Sequence, residues 1–249
     1  MFENLLNKYE NKISGFIQVG AHVGQQVESF LRIKNTNIYL FEPNIQALEK
    51  LKKYENEHRV KIFNFGLGND NTTLQFFTSS NKDGVSSSIL RPKLHEKYFP
   101  EVKFHKNESI KIKKFSSLEK IDGNFLVIDV QGYELEVLKG FEDKIKNIDF
   151  IFSEISIVKF YENNTLVSEL DKFLRKKNFL RIKTSFISNV PMGDAFYINK
   201  RYLSKLEVFF YKIKSRIQIT LIYRFFNFFK DRKKLFFHLK NKIKLLISK

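Results

Sequence analysis

Apolar runs alternate with helical patterns from residue 16 to about residue 180, and this alternation predicts the architecture before any single residue does. Phe16–Val19 reads as a buried strand and Gln25–Ile33 as a helix, with Val27, Phe30 and Leu31 on one face. Asn37–Phe41 is a second strand, after which Asn44 can cap a helix carrying Leu48, Leu51 and Tyr54 at spacings of three. Val60–Phe65 alternates as a third strand. The order β-α-β-α-β predicts a parallel sheet with right-handed crossovers.

Thr72–Thr78 and Ile110–Phe115 read as short strands, separated by a polar, Ser-rich excursion over Ser79–Asn107. Phe125–Val130 is the strongest core strand. A helix follows Gly132, with Leu135 and Leu138 facing inward and Gly140 as its stop. Phe150–Ser153 is another strand and Leu166–Lys177 a helix, and Phe179–Thr184 can pair with Ala195–Ile198 as an antiparallel hairpin. The pattern predicts one α/β domain over residues 1–199.

The glycines of FIQVGAHVGQ sit where a strand turns into a helix, a place where small residues let backbone approach a nucleotide. Gly20 and Gly24 do not match the spacing of the dinucleotide fingerprint, and no P-loop is present. Alone they fit a plain tight turn equally well. Glu42 changes this, because it follows the second strand 22 residues beyond Gly20, where a carboxylate can accept hydrogen bonds from both ribose hydroxyls.

FIQVGAHVGQ, YLFEPN, FNFGLGN, LVIDVQGYELEVLKGF and IFSEIS, in this order and spacing over residues 14–198, resemble the FkbM family of methyltransferases. The most specific element is D-x-[EQ]-G-x-E-x-x-x-L-x-G. The resemblance implies a class I methyltransferase fold, a Rossmann-like seven-stranded sheet closed by an antiparallel hairpin. It also implies S-adenosylmethionine as cofactor and O-methylation of a hydroxyl on a sugar or glycan-like acceptor. Other acceptors consistent with the pattern are a different hydroxylated small molecule, a lipid, or RNA. A non-catalytic cofactor-binding module is the remaining class.

By position, the resemblance implies that Gly20, Ala21 and Gly24 line the methionine and ribose part of the cofactor. Glu42, beside Pro43, would hold the ribose. Gly66 and Leu67 would flank the adenine, with Phe65 nearby, and Asp129 would face the methyl group. Gln18 belongs to the same cofactor set but stands where many methyltransferases carry an acid, which shifts the burden of charge toward Asp129.

Three carboxylates, Asp129, Glu134 and Glu154, follow strands or open a helix near this site, so they are candidates for acceptor activation. Asp129 and Glu154 are also candidate magnesium ligands, since hard oxygen donors suit that ion. Glu134 could equally cap its own helix start. His22, in the glycine turn, is the competing base, or an ordinary solvent-facing histidine. Ser86–Ser88 resembles a family segment that contacts cofactor or acceptor.

Cysteine is absent, which removes disulfides and thiolate chemistry and fits a reducing compartment; with no signal-like N-terminus or spanning run, a cytoplasmic location is expected. Net charge is +17, yet residues 200–249 hold fifteen Lys or Arg against two acids, so the first 199 residues carry only +4. Leu206, Phe210, Ile213 and Ile217, then Phe225, Phe229, Phe236, Leu239 and Ile243, form apolar stripes among the basic residues. This basic amphipathic tail suits a membrane surface, such as the inner membrane face, or packing on the domain or on another subunit. Nucleic acid fits less well, because the aromatics gather on one face and are not dispersed as a stacking platform.

Overall fold

The computed structural model describes residues 1–187 and 190–221. Strands β1 (Gly15–Val19), β2 (Asn37–Phe41) and β3 (Val60–Phe63) form the parallel half of a seven-stranded sheet, joined by α2 (Val27–Leu31) and α3 (Ile45–Leu51). A second, three-stranded sheet contains β4 (Gly66–Leu67), β5 (Thr72–Ser79) and β6 (Phe104–Lys113). The chain then returns to the large sheet through β7 (Phe125–Ile128), α5 (Glu134–Gly140), β8 (Phe150–Ser156), α6 (Val167–Lys176), β9 (Phe179–Phe186) and β10 (Met192–Asn199). The order is β3-β2-β1-β7-β8-β10-β9, with β10 antiparallel to both neighbours.

Parallel register explains the packing of one sheet face. Phe16, Phe125 and Phe150 pair across β1, β7 and β8, so their rings project to the same side. Phe16 stacks on Phe30 of α2 at 4.3 Å, and Phe125 lies 5.8 Å from Phe150. The N-terminal helix α1 (Phe2–Tyr9), which the reading above does not anticipate, seals this face. Phe2 meets the rings of Phe30, Phe125 and Phe152, and Leu5, Leu6 and Tyr9 are buried. The 2-5-6-9 spacing of these residues carries the signal.

Several local expectations are corrected. The excursion over Ser79–Asn107 holds a short helix, α4 (His95–Tyr98), and β6 already starts at Phe104, because β5 needs an antiparallel partner along its whole length. Helix α2 spans only Val27–Leu31 of the predicted 25–33. In α5 the inward residues are Glu134, Val137 and Leu138, while Leu135 is half-buried. Gly140 does end α5, but not through a left-handed cap: Phe141 follows with right-handed angles.

The chain divides into two compact units, Met1–Ser204 and a second that begins at Lys205. Of the second, residues 205–221 are described and are helical. The predicted stripe from Phe225 to Ile243 lies outside the described residues. Among the described residues, no helix is long and apolar enough to cross a membrane.

Candidate functional site

The carboxyl ends of β1, β2 and β7 converge on one cleft, open to solvent at its mouth. This is where open α/β sheets bind ligands. At the end of β1, Gly20 takes φ +77°, and a Cβ there would stand 1.8 Å from the Asp129 carbonyl oxygen. Only glycine allows the turn to lie this close to the end of β7. The N–H groups of Gly20 and Ala21 both donate to the Phe41 carbonyl, at 2.9 and 3.1 Å, tying the turn to the end of β2.

Glu42 follows directly. Its carboxylate accepts the His22 N–H at 2.7 Å and the Asn44 N–H at 2.8 Å, one on each oxygen. Each oxygen keeps lone-pair capacity for a ligand donor. Burial raises the carboxyl to about 7 although both N–H groups favour the charged form. Asn44 caps α3 by accepting the Gln46 N–H at 2.9 Å, and its buried Nδ2 has no hydrogen-bond partner among the described residues.

The opposing wall is apolar. Leu67, Phe76, Ile110 and Ile112 come from the three-stranded sheet, and Pro43 and Gly66 complete this side. Ser87 and Ser88 lie on the cleft wall, while the Ser86 carbonyl faces the Tyr161 hydroxyl at 2.9 Å.

Three of the predicted cofactor residues do not line the cleft. Ala21 is fully buried in the hydrophobic core. Gly24 is shaped by packing, since a Cβ there would stand 2.8 Å from the Tyr54 ring and 3.0 Å from Leu51. Gln18 is buried within β1; its Nε2 donates to Gln26 Oε1 at 2.7 Å, and Gln26 in turn lines the cleft. Gln18 Oε1 has no partner among the described residues. Gln18 therefore supports a cleft residue from beneath.

Asp129 lines the cleft, and its Oδ1 accepts the Gln131 amide at 2.8 Å. The same Nε2 donates to Glu154 at 3.2 Å, and Gln131 Oε1 lies 3.0 Å from the Tyr161 hydroxyl. Burial raises Asp129; burial and then the charges of Asp129, Glu134 and Asp194 raise Glu154 well above the carboxylate range. Asp194 stands opposite Glu154 in the β8–β10 register, and burial, then the charge of Asp129, pushes it up to about 6. Gln131, Tyr161 and Asp194 were missed as participants. Gln131 fills the [EQ] position of the quoted motif, which is a signal that could have found it, whereas Tyr161 and Asp194 carry no local signal.

Glu134 is spent on structure: its Oε1 accepts the Gly132 N–H at 2.9 Å, and it does not line the cleft. His22 does line it, but its ring is pinned. Its Nε2 lies 2.8 Å from the Asp83 carbonyl and its Nδ1 2.8 Å from the Gln25 side-chain amide. These partners select the neutral tautomer protonated on Nε2, with the Nδ1 lone pair already accepting. For magnesium the donor set does not fit. Among the described residues no group of three His, Cys, Asp or Glu could hold a metal, and Asp129 and Glu154 are bridged by the Gln131 amide.

The buried acids give a pH prediction. Burial raises Glu134 from 4.5 to about 7. Between these values the native state keeps a proton that the unfolded chain has released, so this group's contribution to stability falls as pH rises and is lost above about 7. Glu134→Gln keeps an oxygen for the Gly132 N–H but removes the ionisation. Its stability relative to wild type should therefore rise by on the order of 3 kcal/mol from pH 4.5 to 8. Denaturant unfolding at three pH values checks this, and a difference independent of pH would refute the burial argument.

The family model described as "Methyltransferase FkbM domain" matches residues 18–181. The chain is 26% identical over 160 residues to the 2-O-methyltransferase NoeI of Sinorhizobium fredii (strain NBRC 101917 / NGR234), covering 59% of this chain and 65% of that relative. It is 25% identical over 179 residues to the hexuronic acid methyltransferase AglP of Haloferax volcanii, covering 65% of this chain and 67% of that relative. The crystal structure of a methyltransferase FkbM from Methylobacillus flagellatus KT shares the fold at a TM-score of 0.51 and 14% identity. That match covers 74% of this chain and 43% of the other. The chain thus spans just under two thirds of the Sinorhizobium relative and under half of the Methylobacillus protein.

Proposed function

Because the chain belongs to the FkbM methyltransferase family, we propose that it transfers a methyl group from S-adenosylmethionine to a hydroxyl of a sugar or glycan-like acceptor. The observation that carries this reading is Glu42: a buried carboxylate, fixed by two backbone N–H groups at the end of β2, on the wall of the cleft that Gly20 keeps open. Such a group suits the paired hydroxyls of a ribose. The apolar wall of Leu67, Phe76, Ile110 and Ile112 suits an adenine ring, and Asp129 supplies the negative charge that Gln18 does not.

Bound S-adenosylmethionine would supply an electrophilic methyl group that needs no covalent enzyme intermediate. The chain's own work is to bind, align and exclude water. Asp129 is the best-placed proton acceptor for the attacking hydroxyl. It lines the cleft, Gln131 fixes its orientation, and its burial raises its basicity. The Glu134 carboxylate is occupied by the Gly132 N–H, and His22 would have to give up Gln25 to take a proton.

The names of the two relatives, a 2-O-methyltransferase and a hexuronic acid methyltransferase, support a sugar hydroxyl as the acceptor. Incubation with isotopically methyl-labelled S-adenosylmethionine and parallel pools of uronic acid-containing glycans, neutral glycans, lipids and RNA tests it. Label should enter a glycan hydroxyl and be lost in Asp129→Asn. Label entering only lipid or RNA would overturn the acceptor class.

A further inference from the structure

The helix over residues 205–221 carries an apolar stripe that the methyltransferase reading does not use. Leu206, Phe209, Phe210, Ile213, Ile217 and Leu221 are between 43% (Ile213) and 77% (Leu206) exposed. At 100° per residue they fall within a sector of about 120°. The opposite side, through Val208, Tyr211, Ser215 and Ile219, is more sheltered, and Ser215 is buried. The exposed stripe is therefore not the side that the helix buries.

Charge identifies what the stripe meets. Lys205, Lys212 and Arg216 recur at spacings of seven and four along one edge of it, and Lys214 lies on the other edge, 5.8 Å from the Phe210 ring. Glu207 shares that second edge with Lys214, so the uniformly basic border is the Lys205, Lys212 and Arg216 edge. An apolar face bordered by such an edge lets the rings enter hydrocarbon while the basic heads reach anionic headgroups. An antiparallel second copy fits poorly, because that two-fold contact would set the Lys205, Lys212 and Arg216 edge against itself. A nucleic acid would satisfy the cations and leave the aliphatic centre of the stripe uncovered.

We infer that the helix over residues 205–221 is a membrane-surface anchor that lies in the interface of anionic lipid bilayers, its Leu206–Leu221 stripe in the acyl boundary and its Lys and Arg edge on the headgroups. The inference is independent of the reaction assigned to the first unit. It tethers the first unit to a membrane, where lipid-borne acceptors are concentrated.

The test uses the full chain and sedimentation with phosphatidylcholine vesicles, with and without 30% phosphatidylglycerol. Wild type should associate with the anionic vesicles and weaken as salt rises. Phe210→Glu with Ile217→Glu, at the centre of the stripe, should abolish association. Lys205→Gln, Lys212→Gln and Arg216→Gln together should lower the partition coefficient on the order of a hundredfold, at about fivefold per basic residue. Circular dichroism and thermal unfolding of both variants establish that each is folded. Failure of wild type to associate, or association unchanged in the stripe variant, would overturn the assignment. So would a stripe-dependent dimer in sedimentation equilibrium without vesicle binding.

Discussion

Glu42→Ala is expected to weaken S-adenosylmethionine binding at least about a hundredfold. Two hydrogen bonds from ribose hydroxyls to a buried carboxylate are worth roughly 1.5–3 kcal/mol each. The substitution also releases the His22 and Asn44 N–H groups, at a cost in stability of roughly 1–3 kcal/mol. Glu42→Gln is a sharper probe. Its amide keeps one acceptor and turns an NH₂ toward one of those two donors, so binding should still fall although the volume is unchanged. Protons provide a second readout. Donors on Glu42 favour its charged form, so binding should lower its pKa from about 7 and release a proton near pH 6–7. Calorimetry in buffers of differing ionisation enthalpy would detect this release in wild type and not in Glu42→Gln. Unchanged affinity in both variants would remove Glu42 from the cofactor site.

The largest stability loss outside the cleft is expected at Gly140. Helix propensity alone favours alanine over glycine by about 1 kcal/mol within a helix. Here the geometry opposes it, because a Cβ on Gly140 would stand 1.9 Å from the Gly68 carbonyl oxygen and 2.8 Å from its carbonyl carbon. Both atoms are backbone, so no side chain can rotate away. Overpacking of this kind typically costs 1–3 kcal/mol and here should reach the upper end or exceed it, lowering Tm by about 10 °C. A thermal scan of Gly140→Ala decides which effect wins, and a raised Tm would show that the α5–Gly68 contact relaxes easily. The final glycine of the D-x-[EQ]-G-x-E-x-x-x-L-x-G motif is then a packing requirement that joins α5 to the loop of FNFGLGN.

The same logic separates the glycines of the opening turn. Gly20 is needed because Asp129 crosses it, whereas Gly24 is needed because Tyr54 and Leu51 pack there. A spacing rule treats them as one pair. Assigning both to the cofactor, together with Ala21 and Gln18, follows from their proximity along the chain, and proximity along the chain does not decide which side of a strand or turn faces the cleft. Glu42 was legible because a carboxylate just past a buried strand cannot turn back into the core without partners. Glu134 was ambiguous for the opposite reason: only the position of the Gly132 N–H shows that its carboxylate is already engaged.

By itself, the sequence determined the features that are local. Runs of apolar residues specified the strands, a period of 3–4 specified the principal helices, and the placement of Glu42 after the second strand specified one end of the cleft. The distribution of charge also set residues 200–249 apart in composition, while the second compact unit begins only at Lys205. The tertiary structure alone decided which distant residues share an environment. It set β10 antiparallel between β8 and β9, brought Asp194 opposite Glu154, and let Gln131 join Asp129, Glu154 and Tyr161. It also set Gly140 against Gly68 and closed one sheet face with α1. The physical reason is that periodicity records how a segment meets an apolar or aqueous surround, while hydrogen-bond partners and backbone clearances depend on segments that meet only after the sheet has assembled.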